Sequence, residues 1–204
     1  MKNIKERWAE FVESRHVDWT WAMLCALYAE PHREYHNISH VAACSDLLRT
    51  SPSFADTPIV ELALFFHDVV YVPGDKRNEE LSANLLRSLL PVARLSSSSW
   101  ERACLAIMAT QHHETVVDDT VSQLTVDIDL SILGADLPVY DRYAAAIRKE
   151  YSSVSDDAWR VGRSRFLTEM VERPQIFQTA WGRQQFEDRA RNNMRQELYV
   201  LEGR

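Results

Sequence analysis

The sequence predicts an all-α protein, and three observations carry that reading. Apolar residues recur at three- and four-residue spacing in nearly every segment. Only 5 glycines and 7 prolines occur in 204 residues, too few for a turn-rich β architecture. The prolines and cap-forming residues fall between the periodic stretches rather than inside them.

Trp8, Phe11 and Val12 place one face of a first helix. A second runs from about Asp18, a cap residue, to Glu30, where Pro31 stops it. A third starts near Asn37 and carries Val41, Cys44, Leu47 and Leu48 on one side. Thr57-Pro58 opens a fourth, with proline at the first helical position. Its sequence IVELALFFHDVVY is apolar nearly all round, which predicts the central buried helix. Pro73-Gly74-Asp75 reads as a turn, and Asn78 as the cap of a fifth helix that ends near Leu90 before Pro91. The serine run 96–99 reads as a loop and cap region ahead of a sixth helix, from Trp100 to about His113. Further helices are expected at about 123–133, ended by Gly134, and at about 138–153, 156–172 and 183–200. Val116, Val117 and Val121 are the weak strand candidates. With no repeat and no long linker, the expectation is one domain over 1–204, a helical bundle.

Charge narrows the function. The chain carries 30 acidic and 23 basic residues, and the deficit lies in residues 1–154, with the remainder near neutral. Such a surface repels a polyanion, so a nucleic-acid polymer is excluded as a partner. The longest apolar run, residues 22–29, is too short to span a bilayer, and the charged, amphipathic N-terminus is no signal peptide. Cys25, Cys44 and Cys104 are odd in number and lack a C-x-x-C, which reads as buried thiols in a reducing cytoplasm.

Five of the seven histidines lie between positions 36 and 113. His67-Asp68 follows the most hydrophobic stretch of the chain. An ionisable pair there is costly to bury, and a divalent cation compensates both members at once. The alternative places the pair at an exposed helix end with local hydrogen bonds. His36 and His40, four residues apart, share a helix face. They suit two ligands, or a ligand and a proton donor, or a solvated helix start. Asp127 and Asp129 point about 200° apart on a helix, so at most one faces a given site. The apolar flank of Leu130, Ile132 and Leu133 favours Asp129. His112-His113-Glu114 could hold a second metal or grip a phosphate, although one histidine at a helix C-terminus is also explained by the dipole. Glu79 and Glu80 read either as first-turn stabilisers or as a base that orients water. Lys76 and Arg77 are the best-placed cations for a phosphate, with Arg33 second. The arginines of the last helices (160, 163, 165, 173, 189, 191 and 195) read as solvated faces. The tryptophans read as packing anchors.

The order His…His-Asp…Asp resembles the HD superfamily of metal-dependent phosphohydrolases. The segments YHNISH, FFHD, NEELSA and DIDLSILG, with the late stretch from Ala190 to Leu198, are similar to an uncharacterised bacterial group within it. That resemblance spans almost the whole chain and implies an HD-type bundle, with the metal motifs in 35–133 and accessory helices at both ends. It implies His40, His67, Asp68 and Asp129 as ligands of a divalent metal (Mn, Fe, Co, Ni, Zn or Mg), one ion with room for a second. It implies His36 as proton donor to the leaving oxygen, and a small phosphate ester, such as a nucleotide, as substrate. The H-H-E segment is similar to that of the HD-GYP phosphodiesterases, but no G-Y-P follows, which argues against a cyclic dinucleotide. Two alternatives share the scaffold: a di-iron oxygenase and a non-catalytic metal- or nucleotide-binding sensor.

Overall fold

The computed structural model describes residues 2–113 and 119–203. It is all-α: among the described residues there is no strand, only an isolated antiparallel bridge between Val12 and Ala93. Val116 and Val117 lie outside the described residues, and Val121 is buried within a helix rather than a strand. The α-helices among the described residues are α1 (Ile4–Trp8), α2 (Val17–Tyr28), α3 (Ile38–Leu48), α4 (Thr57–Phe66), α5 (Asn78–Ser88), α6 (Ser97–Thr110), α7 (Thr120–Asp129), α8 (Leu137–Glu150), α9 (Asp156–Glu172) and α10 (Ala180–Leu201). The backbone forms two compact units, Met1–Asp129 with α1–α7 and Leu130–Arg204 with α8–α10.

In the first unit α4 is the centre, packed against α3, α5, α6 and α7. Its Val60, Leu62, Ala63, Leu64, Phe65 and Phe66 are wholly buried, as an all-apolar helix requires. Trp8 joins Phe65 and Phe66 at ring distances of 5.5 and 5.7 Å, and its indole N–H donates to Thr20. Trp100 is likewise buried, and its N–H donates to the Leu86 carbonyl. Both are the anchors the sequence predicts, each with its polar atom satisfied. Trp19 is not: it is half exposed and donates to His16.

Local chemistry explains most helix starts. Asn37 accepts from Ser39 N at the head of α3, and Ser96 accepts from Ser99 N at the head of α6. The serine run is therefore the first turn of α6 rather than a loop before it. Four expectations are corrected. Helix α1 ends at Trp8, so Phe11 and Val12 lie beyond it, in a turn and in the bridge to Ala93. Asp18 lies inside α2, whose cap position is His16. Asn78 lies inside α5 and its side chain turns elsewhere. Helix α4 ends at Phe66, so the apolar continuation to Tyr71 is not helix.

In the second unit a 3-10 turn, Leu130–Gly134, packs against α10. A β-carbon on Gly134 would lie 2.6–2.8 Å from Phe186, so only glycine allows that approach. Asn193, from the late motif, donates to the carbonyls of Leu133 and Ala135. Two of the arginines read as solvated are structural. Arg163 is buried and makes a forked pair with Glu197, which also receives the Tyr140 hydroxyl. Arg191 pairs with Glu187 and donates to the carbonyls of Val171, Arg173 and Pro174.

Candidate metal centre

Three helices bring the predicted ligands together. Asn37 caps α3 and sets its direction, which places His40 in the first turn with Cys44 one turn later. α4 stops at Phe66 and presents His67 and Asp68 from its C-terminal end. Asp129 is the last residue of α7. One donor atom from each of His40, His67, Asp68 and Asp129 lies within 4.8 Å of all the others, and this group could hold a metal ion.

The spacing can be tested against metal chemistry. His40 Nε2 and His67 Nε2 stand 3.0 Å apart. His67 Nε2 is 3.0 Å from Asp68 Oδ2 and 3.4 Å from Asp129 Oδ1. His40 Nε2 is 3.4 Å from Asp129 Oδ1 and 3.7 Å from Asp68 Oδ2. Nitrogen and oxygen ligands at about 2.0–2.2 Å from a first-row ion stand about 3.0–3.5 Å from each other. The donor set and its spacing therefore fit such a cation. The His67 Nδ1–H donates to the Leu64 carbonyl at 2.9 Å, which turns Nε2 toward the group.

The electrostatics agree. The imidazoles are nearly inaccessible, while the side chains of Asp68 and Asp129 are 16% and 17% exposed, so the group opens on its carboxylate side. Burial would pull the His67 pKa down, but the carboxylates of Asp68 and Asp129 outweigh it and hold it well above the ordinary value. Burial lowers that of His40. One protonated and one neutral ring account for two Nε2 atoms at 3.0 Å. Burial would raise both carboxyl groups, yet His67 chiefly holds them well below the usual range. Two carboxylates gathered in a buried site with imidazoles form a donor set whose charge a divalent cation would balance.

The remaining predicted residues divide. His36 is half-buried outside the ligand group, its ring 6.1 Å from His40 and 4.2 Å from Tyr71. Glu79 is half-buried within electrostatic reach of Asp68, His113 and Asp129, and burial first, then the Asp68 and Asp129 carboxylates, raises its pKa. Glu80, one position on, is exposed. His113 reaches Asp129 Oδ2 at 3.7 Å and sits at φ 51°, a left-handed conformation uncommon outside glycine. His112 is exposed, both histidines lie beyond the end of α6, and Glu114 lies outside the described residues. Lys76 and Arg77 are exposed, and the Arg77 guanidinium is held by Asp75. Asp127 is wholly buried, whereas Asp129 faces the group.

The segment after α4 shows what local sequence reading missed. Buried carbonyls need donors, and residues 63–72 obtain them from side chains of three distant segments. Within the segment, Ala63 and Phe66 receive the N–H groups of His67 and Val69, and Leu64 receives the His67 ring. Tyr28 donates to Phe65 and Arg33 to Asp68 and Val69. Ser82 donates to Val70, His32 to Tyr71 and Asn78 to Val72. Asn78 and Ser82, one turn apart on α5, also accept the N–H groups of Val72 and Val70. The N-E-E-x-S-A segment thus has a structural half, Asn78 and Ser82, and a site-facing residue, Glu79. Arg33 offers nothing to a phosphate, because its donors go to protein oxygens.

No family model matches the chain, and no curated protein or solved structure matches it either.

Proposed function

We propose that this chain is a metal-dependent phosphohydrolase of the HD superfamily that cleaves a small phosphate ester. The observation that supports the reading is the convergence of His40, His67, Asp68 and Asp129, in that order along the chain, on one cation-sized group. A divalent cation bound there supplies Lewis acidity, lowering the pKa of water and drawing charge from a phosphoryl oxygen. His40, His67, Asp68 and Asp129 hold it. Glu79, beside Asp68 and Asp129, orients the attacking water and accepts its proton. His36, one ring away from His40, gives a proton to the leaving oxygen. The exposed Lys76 and Arg77 attract the anionic substrate, with His112 and His113 as further phosphate contacts. Among the described residues no helix is long and apolar enough to cross a membrane.

The test is a panel of nucleotides and phosphomonoesters assayed with Mn, Co, Ni or Mg. Phosphate release that depends on the metal and is lost in Asp68→Ala is the expected result. Tight binding of one compound with no product would favour the sensor. One observation favours a different second reading: His113 on the far oxygen of Asp129 gives a donor for a second ion. Iron loading followed by substrate-dependent oxygen uptake would select the oxygenase.

A further inference from the structure

Arg33 is the most completely engaged charged side chain near the candidate centre. Its guanidinium is fully buried. Nε donates to Glu30 Oε2 at 2.9 Å, and Nη2 lies 2.9 Å from the same oxygen. Nη1 donates to the carbonyl of His36 at 2.9 Å and to that of Asp68 at 2.7 Å. Nη2 donates to the carbonyl of Val69 at 3.0 Å. Four hydrogen bonds and one ion-pair contact thereby engage all three nitrogens of the guanidinium group. The rings of Tyr28 and Tyr71 flank the cation at 5.2 and 5.4 Å.

These partners are unusual in kind. Three of the four oxygens are backbone carbonyls, and two belong to residues the centre depends on: Asp68, a ligand, and His36, the proton donor. Asp68 lies just past the end of α4, where no helical hydrogen bond fixes its backbone. His36 lies in the bend before α3. Neither is held by regular structure, and one planar, rigid group holds both.

We propose that Arg33 is a positioning residue that fixes the backbone of Asp68 relative to that of His36, so that the ligand and the proton donor keep one geometry around the cation. This rests on the metal reading above. A lysine keeps the charge but presents three donors from a single point, and it cannot reproduce the planar fork that reaches three carbonyls and a carboxylate.

The test uses the full chain, with Co(II) alone as the probe. Wild type, Arg33→Lys and Glu30→Gln are titrated with Co(II) while the visible spectrum and affinity are recorded, and far-UV circular dichroism measures the folded fraction. Arg33→Lys is expected to fold, to bind Co(II) about 10–100-fold more weakly, and to change the shape of the cobalt spectrum. Glu30→Gln, which leaves Arg33 in place with a weaker anchor, is expected to shift affinity in the same direction by a few fold. An arginine that only stabilised the fold would lower the unfolding midpoint yet leave the spectrum of the folded protein unchanged, and that result overturns the proposal. If Arg33→Lys does not fold, unchanged cobalt affinity in Glu30→Gln overturns it equally. No cobalt binding by wild type removes the metal reading itself, and the proposal with it. Cobalt binding by wild type with unaltered variants removes the proposal alone.

Discussion

Each unit of the molecule has a buried charged cluster whose balance differs from the other's. In Leu130–Arg204, Arg163 meets Glu197 through two hydrogen bonds of 2.8 and 3.0 Å. The Tyr140 hydroxyl completes the carboxylate, and the rings of Tyr143, Trp159 and Phe166 lie around the guanidinium. One positive and one negative group cancel, with every close partner inside the chain. In Met1–Asp129, two carboxylates share a buried space with two imidazoles, and among the described residues no arginine or lysine forms an ion pair with the Asp68 or Asp129 carboxylate. Burial of ions is tolerated only when they are paired. The first cluster is complete as it stands, and its role is structural. The second is a group that could hold a cation, and that difference in balance is what the proposed function rests on.

Changes to the two clusters should therefore fail differently. The largest effect is expected at the ligands: His67→Ala or Asp68→Ala removes metal binding and turnover together. Metal content equal to wild type in both would break the assignment. Arg163→Met leaves Glu197 buried without its partner and is expected to destabilise by about 3–5 kcal/mol in denaturant unfolding, while metal content per folded molecule stays unchanged. The double change Arg163→Met with Glu197→Leu should recover most of that loss, because an apolar pair replaces a balanced one. His36→Ala should keep the metal and slow turnover by about 10²–10⁴-fold. Equal metal loss would move His36 among the ligands. Smallest is the contrast within the acidic pair: Glu79→Gln slows turnover by about 10²-fold, whereas the exposed Glu80→Gln stays near wild type.

Proton linkage sharpens the same contrast. In the metal-free protein the His67 pKa is raised, so its stabilising contribution is complete below the ordinary histidine value and is lost as pH rises through the higher folded value. Asp68 and Asp129 are depressed, so theirs is complete above the ordinary carboxylate value and is lost as pH falls through the lower folded value. A metal on Nε2 must displace the His67 proton, so affinity falls with falling pH. Calorimetry in buffers of different ionisation enthalpy should show proton release on binding near pH 7. An identical heat in every buffer would contradict it.

Much of the fold is legible in the sequence wherever local chemistry decides. Asn37, Ser96 and Pro58 mark helix starts by capping or by fixed dihedrals, and the apolar periodicity finds α3 and α4. The end of α4 is not legible. His67, Val69 and Tyr71 are as buried as the helix before them, so hydrophobicity does not separate a buried helix from a buried loop. What makes a loop tolerable there is Arg33, His32, Ser82 and Asn78, whose side chains arrive from elsewhere in the chain. Arg163 misleads for the same reason: its partner Glu197 is 34 residues away, while acids nearer in sequence suggest a solvated pair. The meeting of His40, His67, Asp68 and Asp129 is legible through the resemblance their order carries, and because a His-Asp pair inside an apolar run is costly to bury without a compensating charge.

In the proposed function His40, His67, Asp68 and Asp129 meet around one cation. Elemental analysis of the purified protein after dialysis against a Mn, Fe, Co, Ni or Zn mixture, beside the Asp129→Ala variant, tests it most directly. About one ion per chain is expected in wild type, from a site built of two imidazoles and two carboxylates, and almost none in the variant. Metal-free wild type, or equal metal in both proteins, would contradict it.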